Sequence, residues 1–217
     1  MRILIDIQFY PSIALSVLFF LVTFLVLRKS RTNVNISFAL GSFFFGLGTL
    51  LAGLGYFDSS LEYLWTYATI CITLGPSGYF IAGKFIVDGD KSFRSLETYI
   101  VLLIETLSVI GIFLFYDKYS VNDSTKIWDF VLVIILIFCT YQFYKVYEIA
   151  PALHIKLQFL LFGLLISIIS LSINLVVLFI TNEGTLLRTS IPVLGEIMVV
   201  LSFTSIPEGF FQGKLNS

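Results

Sequence analysis

Two glutamates stand in stretches that are otherwise apolar. Glu105 lies about two turns into the run 99–116, and Glu196 about two turns into the run 190–211. A carboxyl group at such depth in a membrane is costly. It must face the protein interior, pair or keep its proton, and such groups mark ligand and ion paths. Glu196 follows Pro192 by one helical turn, so the two share a face. Asn174, in the far half of the run 157–180, is its best polar neighbour, and Trp65, Tyr67 and Thr69 begin the run 64–87 at the same level. These residues outline a small pocket with Glu196 as polar anchor; the alternative is a Glu196 carboxyl bonded to a backbone carbonyl. Glu105 is expected to contact Tyr141 or Tyr144 or to lie on a proton path. Trp128, Asp129 and Glu208 fall near run ends and read as interfacial anchors.

The remaining chemistry-bearing residues exclude more than they offer. Every lysine is in a loop or at the end of a run, so a retinal Schiff base in the last helix is excluded. The one histidine, His154, cannot build a bis-imidazole haem or a histidine-rich metal site. No Ser–His or Cys–His pair lies in the apolar runs, no phosphate-binding loop is present, and no paired aspartates have metal-binding spacing. Cys71 and Cys139 sit inside apolar runs and read as small buried hydrophobes. No basic patch points to nucleic acid. We therefore expect a non-enzymatic protein with no metal and no cofactor.

The elements that carry these residues follow from hydropathy. The chain has 217 residues, 58% of them hydrophobic and 12% charged, with mean hydropathy +0.97. A soluble domain has about 25% charged residues, so lipid must solvate this one. Seven apolar runs occur, at about 13–27, 37–57, 64–87, 99–116, 127–144, 157–180 and 190–211. Each is long enough for a helix through a core of roughly 30 Å, which predicts a single seven-helix all-α membrane domain over 1–217. The run 13–27 is followed, not preceded, by its basic cluster, so it reads as a retained span rather than a cleaved signal. With the N-terminus outside, nine of the 13 Lys and Arg fall on the inner side. This predicts an N-out, C-in protein of the cell membrane.

Small and hydroxyl residues mark helix-contact faces: Gly41, Gly48, Ala52 and Gly55; Thr66, Thr69, Thr73, Pro76 and Ser77; Gly163, Ser167, Ser170 and Asn174; Gly195, Ser202, Ser205 and Gly209. The third and seventh runs also echo one another. Pro76-Ser77-Gly78-Tyr79-Phe80 precedes Gly83-Lys84, and Pro207-Glu208-Gly209-Phe210-Phe211 precedes Gly213-Lys214. Proline opens the helical ladder and a neighbouring glycine eases the bend, making Pro76, Gly78, Pro207 and Gly209 candidate hinges. The echo, with like orientation of runs 1–3 and 5–7, predicts a 3+1+3 parallel repeat around a linker helix.

The Arg28–Arg31 loop leading into a Gly-rich second run, the Asp58–Trp65 turn and the proline-containing third run resemble the seven-helix N-terminal sensor region of prokaryotic histidine kinases. The resemblance covers roughly the first ninety residues. It implies a receptor-like bundle that binds a small or lipophilic ligand; since the chain ends at Ser217 without a kinase part, signalling would pass through a membrane or cytoplasmic partner. The 3+1+3 topology is also similar to small-solute transporters of the SWEET or vitamin-uptake type, though no Pro-Gln pair occurs in the first or fifth run. A third expectation is an accessory subunit of a membrane complex. Beyond the lipid bilayer, a homo-oligomer is a further possible partner.

Overall fold

The computed structural model describes residues 2–61, 63–115, 121–181, 195, 197–199 and 201–205. These form α1 (Arg2–Lys29), α2 (Asn33–Phe57), α3 (Leu64–Asp88), α4 (Leu96–Phe115), α5 (Val121–Ile149) and α6 (His154–Thr181). Short 3-10 turns lie at Ser59–Leu61, Gly89–Arg94 and Pro151–Leu153. A further helical stretch, α7, is described at 195, 197–199 and 201–204. No strand occurs among the described residues.

Five helical stretches are long and apolar enough to cross a membrane: Phe9–Lys29, Asn33–Gly55, Leu64–Asp88, Lys126–Ile149 and Pro151–Ile180. The expected run 99–116 falls on α4, a helix of 20 residues, while 190–211 is described only in part. Glu196, Pro207 and Gly209 lie outside the described residues. The outer faces agree with a lipid solvent. On α6, Ile155, Phe159, Phe162, Ile169, Ile173, Val176 and Ile180 are all exposed and recur at helical spacing. In water such a continuous apolar face would be an association site; in a bilayer it is the ordinary surface.

Helices extend past the apolar runs because polar flanks supply their caps. Thr32 accepts a hydrogen bond from the Asn35 backbone at 3.3 Å and starts α2 at Asn33, four residues before the run at 37. Ser95 caps α4, its hydroxyl accepting from Thr98 N at 3.3 Å. Gly89 ends α3 with φ +57°, a conformation that L side chains rarely adopt. The connections are short, so successive helices alternate in direction. One end of the bundle gathers Lys29, Lys84, Lys145 and Lys156 and is called the basic end below; Trp65 marks the opposite end.

Most of the packing is organised around α2 and α3. At their crossing the backbones touch: a Cβ on Gly78 would lie 2.5 Å from Gly41 N, and one on Gly41 would lie 2.6 Å from Gly75 O. Only glycine permits this approach, as small residues do between membrane helices. Phe38 of α2 is fully buried and stacks on Tyr79 of α3 and on Phe203 of α7. A second close crossing joins α6 to α7, where a Cβ on Gly163 would lie 2.5 Å from Gly195 O. The basic end of α7 is fastened by two lysines: Lys29 donates to Thr204 O at 2.5 Å, and Lys156 donates to Ser205 O. Cations at carbonyls of a helix C-terminus are favourable there.

Candidate functional site

The candidate site is built on the face of α3 turned away from α2. Thr66, Thr73, Ser77 and Lys84 are buried and fall seven, four and seven residues apart, which keeps them on one side of a helix. Two threonines of this helix find their acceptors within it. Thr69 donates to Trp65 O at 2.8 Å, and Thr73 donates to Thr69 O at 2.9 Å. Helix α3 runs unbroken through Pro76, which lacks the N–H that would bond the carbonyl one turn earlier. Gly78, one candidate hinge residue, forms the α2 contact described above.

Helix α4 brings Glu105 to this face. Its buried positions Thr98, Val101, Glu105 and Ile112 share one stripe, while Leu96, Tyr99, Leu103, Leu107 and Ile110 face outward. Glu105 is only 5% exposed. The Ser77 side chain faces it, yet neither Glu105 Oε1 nor Ser77 Oγ lies within hydrogen-bond geometry of a partner. Thr66 Oγ1 is in the same state, and these are the three buried side-chain polar atoms without a partner among the described residues. Such atoms are rare in folded proteins, and each calls for a physical reason. Tyr141 and Tyr144 are about half exposed, with Tyr141 under the Lys145 ammonium at 4.4 Å.

Seven residues further along α3, Lys84 turns the basic end into an ionic junction. Its side chain is 3% exposed and pairs with Asp88 and, at 2.9 Å, with Glu97. Glu97 also faces Lys145 of α5 at 3.5 Å. Three helices are thereby tied at one point. Glu97 stands in the first turn of α4, ahead of its apolar run, and the hydrogen bond from Lys84 holds its carboxyl below the ordinary glutamate range. Between this junction and Glu105 stand buried Phe80 on α3 and Val101 on α4, which place an apolar layer between the two charged levels.

At the opposite end a second polar pair joins α5 to α6. Asn174 donates to Asp129 Oδ2 at 2.6 Å, and both residues are buried. The other expected pocket residues have surroundings of their own. Trp65 lies against α2, where a Cβ on Gly55 would come within 2.8 Å of its indole nitrogen. Tyr67 is about half exposed, and Thr69 is bonded within its own helix. Gly195 of α7 lies beside Gly163, 11 residues before Asn174 on α6. Cys71 and Cys139 are buried and form no disulfide. Among the described residues no group of three or more His, Cys, Asp or Glu is placed to hold a metal ion.

Sequence reasoning missed two of these features. Lys84, read only as a cation near the end of its run, is buried, though Asp88 one turn later and Glu97 after the connection already offered two partners. Asp129 reads as interfacial because it lies near the start of the run 127–144; its burial needed knowledge that α5 extends to Val121. Comparison with protein-family models, curated proteins and solved structures returns no match.

Proposed function

We propose that this chain is a receptor-like membrane bundle in which α3 carries a change from the Trp65 end to a partner at the basic end. The supporting observation is the junction of Lys84 with Asp88, Glu97 and Lys145. An ion pair whose cation is buried is sensitive to small displacements, since separating it leaves that charge without compensation. A shift of α3 relative to α4 and α5 therefore alters the charge presented at the basic end. The excess of Lys and Arg there supports a cytoplasmic location, with the N-terminus outside. The stimulus is a small or lipophilic molecule acting near Asn174, Asp129 and the first turns of α3.

A second reading, transport of a small solute by a 3+1+3 bundle, is favoured by one observation: Glu105 is an ionisable group deep in the bundle, as in ion-coupled carriers. The two readings separate in one pair of measurements. Purified protein in nanodiscs is screened for thermal shifts against lipids and metabolites, and proteoliposomes are assayed for accumulation of the same compounds. A stabilising ligand that is not accumulated, with loss of partner association in Lys84→Met, supports the receptor. Accumulation abolished by Glu105→Gln supports transport and overturns it.

A further inference from the structure

We propose that Glu105 is a proton-exchange site, reached by water from the Trp65 end along the hydroxyl ladder of α3. The inference holds under either reading of function, because the proton would be a stimulus in one and a driving ion in the other.

Three observations carry it. The first is the unsatisfied carboxyl oxygen of Glu105, buried opposite the equally unsatisfied Ser77 hydroxyl. A hydroxyl and a carboxyl oxygen that each lack a partner offer a water or a proton donors and acceptors on two sides. The second is charge balance. The cations nearest along the packed elements are already engaged: Lys84 on α3 by Asp88 and Glu97, and Lys145 on α5 by Glu97 and the Tyr141 ring. Lys84 is also seven residues from Ser77, roughly 10 Å along the helix. Lys91 and Arg94, on the turn before α4, are exposed at the basic end. Of the acidic and phenolic groups, Asp129 bonds Asn174 toward α6, Tyr79 faces Ser42 of α2, Cys139 is buried on α5, and Tyr141 and Tyr144 are about half exposed. Among the described residues an ionised Glu105 thus meets no fixed counter-charge, and a mobile cation would accompany it. The smallest is the proton: the carboxylate takes H⁺ from a hydronium ion, leaving water and a neutral acid, and release reverses this.

The third observation gives direction. Toward the Trp65 end, Ser77, Thr73, Thr69 and Thr66 follow one another at four, four and three residues, about one turn apart. Thr66 is the third unpartnered hydroxyl. Toward the basic end, Phe80 and Val101 intervene before Lys84. Polar groups a turn apart can be bridged by single waters, whereas an apolar layer interrupts such a chain.

The test is infrared difference spectroscopy of the full chain in proteoliposomes, titrated between about pH 4 and pH 10. The expected result is a protonated-carboxyl band that titrates, exchanges in D₂O, and is lost in Glu105→Gln. Ser77→Ala should keep the band but slow its exchange several-fold. Should Glu105→Gln fail to fold, Glu105→Asp must shift the band's frequency. A wild-type protein whose carboxyl bands neither titrate nor exchange overturns the proposal. So does a titrating band that survives unchanged in Glu105→Gln and Glu105→Asp.

Discussion

The two sides of α3 are built on opposite principles. Against α2 the contact is backbone on backbone, with Gly41, Gly75 and Gly78 leaving no room for a methyl group and Tyr79 bonded to Ser42 at 3.3 Å. On the side away from α2, where α3 meets α4 and α5, lie the unpartnered hydroxyls of Thr66 and Ser77, with the unpartnered Oε1 of Glu105 brought to Ser77 by α4. A helix close-packed on one side and polar on the other can change its relation to α4 without leaving α2. The first side specifies the fold and the second is open to exchange. The same residue types, small and hydroxylic, serve both, and only their partners distinguish them.

Substitutions across the two sides should differ in size and in kind. The largest effect is expected from Gly78→Leu, whose side chain would be forced into the α2 backbone. A cost of about 3 kcal/mol or more should appear as loss of folded protein in a detergent melt. Next comes Asp129→Leu, which leaves the Asn174 amide without its 2.6 Å acceptor. A loss of about 1–3 kcal/mol is expected, partly recovered when Asn174→Leu is added. Lys84→Met should cost about 1–2 kcal/mol, between a buried and an exposed pair, because Asp88 and Glu97 remain about one-third exposed. This variant also carries a pH signature. The Glu97 carboxyl is depressed in the folded state, so its contribution is present above the ordinary glutamate range and is lost as pH falls through the folded value. Wild-type melting temperature should drop more steeply than that of Lys84→Met on acidification below about pH 4.5. The smallest stability effect should be that of Glu105→Gln, within about 1 kcal/mol of wild type, since no hydrogen bond of Oε1 is lost. Its effect on proton exchange should be complete. If Glu105→Gln destabilised the protein as much as Gly78→Leu, the distinction between the two sides would fail.

Periodicity made much of this legible. The Gly and Ala stripe of α2 and the hydroxyl stripe of α3 are largely inward in the structure, because lipid solvation leaves small and polar residues only the interior to face. The five long apolar helices were legible for the same reason. Partners were less so. Asn174 pairs with Asp129 across 45 residues of sequence, and nothing local announces that choice. Trp65 and Tyr67 are two residues apart in sequence but point to different surroundings, since each helical step turns the side chain by about 100°. The depth of Lys84 was hidden because a lysine at the end of an apolar run ordinarily snorkels to the interface, and only the two acids around it hold it inside.

The central claim, that water reaches one side of α3 and not the other, is tested most directly by substituted-cysteine accessibility. With Cys71 and Cys139 replaced by alanine, single cysteines are placed at Thr66, Thr73 and Ser77 on one side and at Ser42 and Ala52 on the α2 side. A small water-soluble thiol reagent is then applied to each face of sealed vesicles. We expect Cys at positions 66, 73 and 77 to react from the Trp65 end, with Ser42→Cys and Ala52→Cys protected from both faces. Ser77→Cys as inert as Ser42→Cys, or reactive only from the basic end, would contradict the account.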